Sequence, residues 1–287
     1  MSNTEITARE RSARIPTALV TLLAVGLFVL SLVLLGTKFG ADGNAELLRK
    51  IDKDSGTLVL IYVIRAVGSA LLVIPLAYLF RAAQARSDSM RAQLIGLVVA
   101  GPLFMALFSV FTGLSLHDAA PDFVAKHVSG STAHMDDVAQ NTIDDSAWRN
   151  LAAGFGIAGA LGFAVAMTYT ALHAMRVGLL TRLWGSLGVA LGVASIVFPQ
   201  YALLWFVYLG LLIGAWLPLR RPPAWETGEA IPWPTPGERM AERMSGEDAD
   251  EEEKDEQASG PTVGDGEPAN PPGQPGARRK RKRRSGG

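Results

Sequence analysis

TLVLIYVIRAVGSALLVIPLAYLFR, residues 57–81, is the stretch that decides the fold class. At ~1.5 Å per helical residue it is long enough to cross a hydrocarbon layer ~30 Å thick. It also holds two features that a passive span does not need. Arg65 lies inside it, and Pro75 lacks the N–H that would bond the Leu71 carbonyl. Five further apolar stretches accompany it, at 15–36, 92–116, 148–175, 183–198 and 201–219, and none has an ionisable residue well inside. The expected fold is all-α: a polytopic bundle of six transmembrane helices.

The composition agrees once it is read regionally. The 287 residues are 49% hydrophobic and 19% charged, but residues 15–219 are strongly apolar and residues 220–287 are polar. The zero net charge is a cancellation between an acidic run at 247–256 and a basic run at 278–284. There are no cysteines, which excludes a disulfide framework, thiolate zinc sites and cysteine nucleophiles. Heavy use of Ala, Gly, Val, Leu and Arg fits a GC-rich bacterial genome.

The chain divides into a cytoplasmic N-terminal segment (1–14), the transmembrane domain (15–219), a Pro/Trp-rich juxtamembrane segment (220–244) and an acidic-then-basic tail (245–287). The first apolar run exceeds a signal-peptide core of ~7–15 residues and no A-x-A site follows it, so it reads as a retained span with Pro16 in its first turn. The juxtamembrane segment, with Trp225 and Trp233, reads as extended polyproline-like chain along the surface. The tail has too little apolar surface to offset chain entropy and is expected to be disordered.

Six spans put both termini on one side. With the termini in the cytoplasm, the inner flanks hold Arg9, Arg11, Arg14, Arg81, Arg86, Arg91, Arg176, Arg182, Arg220 and Arg221. The outer loops then hold Lys38, Arg49, Lys50, Lys53, Lys126 and Arg149. The positive-inside rule therefore places the termini in the cytoplasm and loop 117–147 outside a plasma (inner) membrane. In the first loop NAELLRKI, residues 44–51, reads as a short amphipathic helix begun by Asn44, either at the interface or in solvent. Asp144 is placed to cap the fourth span, with Trp148 at headgroup level.

Arg65 is the leading candidate for function, because charge inside a span is costly and often marks a site. Measured from Arg81, it lies only several ångströms below the outer interface, so its side chain can snorkel or pair with Asp118. The competing reading is a ligand site of Arg65, Tyr62, Ser69 and Asp118. Pro75 and Pro102, in adjacent antiparallel spans, are candidate helix breaks at similar depth, the device by which transporters build polar sites. Proline is also common in ordinary membrane helices.

Other motifs yield less. Gly154-x-Gly156-x-x-Gly159 matches a dinucleotide fingerprint by letter, but no strand precedes it. With Gly162, Gly188-x-x-x-Gly192 and Gly210-x-x-x-Gly214 it reads as close helix packing. His117, His127 and His134 are the weak candidates for a metal, without a compact ligand spacing. His173 reads as an interfacial residue. The spans hold no Asp or Glu and no catalytic constellation, so no cofactor is implied and a proton-coupled pump or an enzyme is disfavoured. The run Arg278, Arg279, Lys280, Arg281, Lys282, Arg283 and Arg284 suits anionic lipid headgroups, and implies no specific nucleic acid.

The span order, the long loop between spans three and four and the stretch MRVGLLTRLWGSLG, residues 175–188, resemble small six-helix bacterial integral-membrane proteins of unknown function. The resemblance covers residues 15–219 and implies a fold class but no activity. The expected function is a non-enzymatic membrane protein with a structural, sensing or partner-binding role. The alternative is a small-molecule or ion permease built at Arg65 and the proline breaks.

Overall fold

The computed structural model describes residues 3–87, 89–216, 221–233 and 240. The expectations for the acidic and basic runs of the tail lie outside the described residues. The helix bundle lies within the unit Met1–Trp233.

Among the described residues every regular element is a helix. They are α1 (Asn3–Phe39), α2 (Asn44–Lys53), α3 (Ser55–Leu71), α4 (Val73–Gln84), α5 (Ile95–Ala125), α6 (Thr132–Asp144), α7 (Arg149–Arg176), α8 (Arg182–Ala194), α9 (Ala202–Gly214) and the one-turn α10 (Ala224–Thr227). Four stretches are long and apolar enough to cross a membrane: Asn3–Phe39, Ser55–Gln84, Ala92–Ala125 and Arg149–Arg176. α1 begins well before the expected Ile15, so Pro16 lies inside a 37-residue helix rather than in its first turn. The apolar side chains Leu19, Leu23, Val33, Val63, Val67, Ile157, Leu161 and Val165 point outward and form the belt that suits lipid.

The two remaining apolar helices differ from the six-span expectation. α8 and α9 have 13 residues each, about 20 Å at ~1.5 Å per residue, against ~30 Å of hydrocarbon. They form a hairpin around Pro199–Tyr201. α8 lies along only the last part of α7. A Cβ on Gly185 would meet Met175, one on Gly188 would meet Ala171, and one on Gly192 would meet Thr168 and the Ala164 carbonyl. α9 lies along α1, with Gly210 against Thr21 and Leu22. Trp205 joins the two legs by donating its indole N–H to the Trp184 carbonyl at 3.0 Å. Trp184 in turn stacks on Tyr208 with ring centroids 3.7 Å apart.

Without a hydrophobic drive between helices in lipid, close backbone approach does the packing, and small residues permit it. α5 against α7 shows this. A Cβ on Gly101 would stand 2.6 Å from the Phe163 amide nitrogen, and one on Gly159 would stand 2.8 Å from that of Met105. Gly156 meets the Phe108 ring, while Gly154 meets nothing within 4 Å. Gly156, Gly159 and Gly162 therefore form a packing face, as the sequence implies, and Gly154 lies outside it.

The end of the bundle carrying α2 and α6 is capped by a second apolar cluster. Leu48 and Ile51 of α2 and Ala139 and Ile143 of α6 close over Ala119, Ala120 and Phe123 of α5. The apolar face of α2 thus packs on protein. Its N-cap is Gly43 rather than Asn44, and the Ala45 amide donates 2.9 Å to Asp136 of α6. Asp144 does not cap α7 either. It ends α6, accepts from Gln140 at 2.9 Å and pairs with Arg149 at 3.1 Å, while Trp148 is the N-cap of α7 and stacks on Phe111.

Candidate functional site

Arg65 sits ten residues into α3, about 15 Å along its axis. Its guanidinium turns sideways onto α1 and does not snorkel. Nε donates to Ser31 Oγ at 3.2 Å. The Phe28 ring lies 5.8 Å away and the Tyr62 ring 5.1 Å away, a distance at which a ring face attracts a cation. Nη2 is buried without a partner. Asp118 is not brought to it. Its carboxylate accepts 3.4 Å from Ser146, and no carboxylate among the described residues pairs with Arg65. The expected quartet therefore divides: Arg65 and Tyr62 share the α1–α3 seam, Ser69 lies one turn deeper, and Asp118 lies apart at the capped end.

Ser69 lines a small mid-bundle cavity of about 20 Å³, room for about one water. Its hydroxyl is buried without a partner. The other walls come from α1, the α3–α4 junction, α5, α7 and the hairpin turn: Phe28, Leu72, Pro102, Phe163 and Pro199. The helical hydrogen bonding is interrupted at Leu72, between α3 and α4, where Pro75 cannot bond the Leu71 carbonyl, although Leu72 itself keeps right-handed helical dihedrals. Pro102, by contrast, lies inside an unbroken α5. The break and Pro102 are at one depth, and the tip of the α8–α9 hairpin meets them there.

The histidines of the outer loop do not converge. Among the described residues no group of three or more His, Cys, Asp or Glu could hold a metal ion. His134 lies in the first turn of α6, its amide donating to the Ser131 cap, and His127 follows the end of α5 in a left-handed conformation, φ 45°. His173 is buried, its ring tilted against Tyr169 with centroids 4.3 Å apart.

The most elaborate polar structure lies at the opposite end, and residue types alone did not disclose it. The Arg86 side chain is fully buried and pairs through Nη1 and Nη2 with both carboxylate oxygens of Glu10. It also donates to the Ala82 and Ala224 carbonyls. Tyr78 donates to the Glu10 carbonyl at 3.1 Å and stacks on Trp225 at 6.0 Å. Trp225 is buried and donates its indole N–H to the Leu179 carbonyl at 2.8 Å. Trp233 does the same to Leu180 at 2.8 Å, and the Ile231 amide donates to Val177 at 3.1 Å. Gly178 makes this close approach possible. Its φ is +78°, and the Ile231 carbonyl occupies the place of a Cβ. Arg221 donates to the terminal Leu212 and Ile213 carbonyls of α9, as cations do at helix C-termini. Segment 221–233 is thus a strap bonded across the turn between α7 and α8, where extended chain along the surface was expected. The one local signal was the pair of tryptophans, whose N–H groups need partners when buried.

No family model, curated protein or solved structure matches this chain.

Proposed function

We propose that the protein is a non-enzymatic integral membrane protein of a bacterial plasma membrane. In this reading the bundle is an anchor that fixes the root of its charged C-terminal segment at the cytoplasmic face, where lipid or a protein partner is met. The observation that carries it is the strap. Trp225, Ile231 and Trp233 are bonded to three positions of the 177–180 turn region, so the chain leaves the bundle from a fixed point. The reading also takes the chain as one of the small bacterial membrane proteins of unknown function that it resembles, which adds no activity.

The same reading includes a topology of four spans and one half-depth hairpin. Two lengths of 13 residues, glycines matched to only part of α7, and a tip beside mid-bundle residues support it. A six-span count is the alternative. Both put the termini on one side, and the excess of arginines at the Glu10 end supports the cytoplasm. Because the chain has no cysteine, Gln200→Cys gives a single label site. A turn at mid-depth should resist a membrane-impermeant maleimide from both sides until detergent is added. Ready labelling from outside would restore six spans.

The permease reading is favoured by one observation, the meeting of the α3–α4 break, Pro102 and the hairpin tip around the unpartnered Ser69 hydroxyl. Against it, the cavity there holds about one water, and Arg65 lines none of the cavities described. Solute flux in proteoliposomes decides between them. The anchor reading expects no flux above empty vesicles for a panel of small anions, cations and amino acids. Flux abolished by Ser69→Leu or Arg65→Leu would replace it with the permease. On the anchor side, spin labels at Ser186→Cys and Glu229→Cys should give one narrow distance distribution that broadens in Trp225→Ala/Trp233→Ala. A broad distribution in the unaltered strap would refute fixation.

A further inference from the structure

At the Glu10 end a crevice of about 410 Å³ opens between α1, α4 and the start of α5. Its inner walls are apolar, from Ala13 of α1, Ile74 of α4 and Ile95 and Val99 of α5. Its mouth carries Arg9 and Arg81, both exposed. Neither guanidinium is paired with a carboxylate among the described residues. Glu10 also lines the crevice, but its charge is taken by Arg86.

From Arg81 to Ile74 is seven residues along α4, about 10 Å of depth. The crevice therefore runs from the interface to well within one leaflet, charged at the top and greasy below. This is the profile of a phospholipid rather than of a soluble metabolite, whose polar groups would need partners at the bottom. Two unpaired cations further select a net negative headgroup. We propose that the crevice binds one anionic phospholipid, its phosphate between Arg9 and Arg81 and an acyl chain along Ile74, Ile95 and Val99. The site is distinct from the basic run of the tail and does not depend on the anchor reading; it requires only that the bundle lies in a bilayer.

The test is native mass spectrometry of the full chain, released from detergent after equilibration with phosphatidylglycerol or phosphatidylcholine. The expected result is one phosphatidylglycerol retained in preference to phosphatidylcholine. Arg9→Gln and Arg81→Gln should each weaken that retention about fivefold, as expected for one interfacial basic residue. Arg91→Gln, an arginine outside the crevice, should leave it unchanged. Ile74→Trp should also displace the lipid, by filling the groove while keeping both charges. Equal retention of the two lipids, or loss only on neutralising Arg278, Arg279, Lys280, Arg281, Lys282, Arg283 and Arg284, would overturn the proposal. So would retention unchanged by both Arg81→Gln and Ile74→Trp.

Discussion

Truncating either side of the Arg86–Glu10 pair should destabilise the whole bundle. Both oxygens of Glu10 are engaged, the Arg86 side chain is 0% exposed and that of Glu10 is 12% exposed, so water screens little of the interaction. Removing one member of such a pair strands the other, at a cost of ~3–5 kcal/mol. Glu10→Ala is expected within that range. Arg86→Met adds the loss of its bonds to the Ala224 carbonyl, about 1–3 kcal/mol if that group is left unpaired. The double variant strands no charge and should cost less than the two single changes together, by more than the ~0.5 kcal/mol expected of independent sites. The assay is equilibrium unfolding of the full chain in mixed micelles by SDS titration, followed by tryptophan fluorescence. Single-variant losses below ~1 kcal/mol, the scale of an exposed pair, would refute the reasoning. Additivity in the double variant would refute it as well.

The same geometry gives three further expected outcomes. Gly159→Leu should disrupt the α5–α7 seam by at least the ~1–3 kcal/mol of ordinary overpacking, because a Cβ there meets backbone that cannot yield; Gly154→Ala, in open space, should be neutral or gain up to ~1 kcal/mol of helix propensity, both read by SDS titration. Arg65→Leu should leave stability unchanged or raise it, since no carboxylate among the described residues pairs with Arg65 and one of its nitrogens is orphaned; a loss above ~2 kcal/mol would show that the contacts to Ser31, Phe28 and Tyr62 outweigh its desolvation. At the capped end a hydrogen bond from Lys50 holds the Glu46 carboxyl below its ordinary value, and one from Gln140 does the same for Asp144. Carboxyls lowered in the folded state stabilise it above their unfolded values and lose that effect as pH falls through the folded ones. Amide exchange in α2 and α6, corrected for intrinsic rates, should therefore quicken below about pH 4, and unchanged protection there would show that these two groups do not hold the cap.

Much of this architecture can be read from letters, and the failures have physical causes. Apolar length alone locates the four helices long enough to cross a membrane, and glycines within such a run announce close packing. Hydropathy measures what surrounds a residue, not how deep it lies. In the four-span reading α8 and α9 imitate spans: small residues of theirs face α7 and α1, while Leu183, Val193 and Leu204 stay exposed as they would in a span. One clue was the run 183–198 ahead of Pro199, 16 residues against the ~20 that a span needs. Arg65 was found because a charge inside a span is conspicuous; its partners were not, because Ser31 and Phe28 are ordinary residues brought near by helix register. The strap was missed for the opposite reason. Proline-rich chain with tryptophan looks like surface, and nothing local says that the indole N–H groups will find carbonyls beyond Val177, far back in the chain.

The hairpin also bears on how the protein is made. α1 is synthesised first and α9 last among the packed apolar helices, yet Thr21 and Gly210 touch. Until α9 emerges, that side of α1 and the Phe163 face of α7 have no protein cover. The final docking joins segments at nearly the greatest sequence separation in the bundle, the kind of contact whose loop-closure entropy makes it slow. A ribosome-stalled chain ending before residue 200 should therefore remain a loosely closed, protease-sensitive bundle.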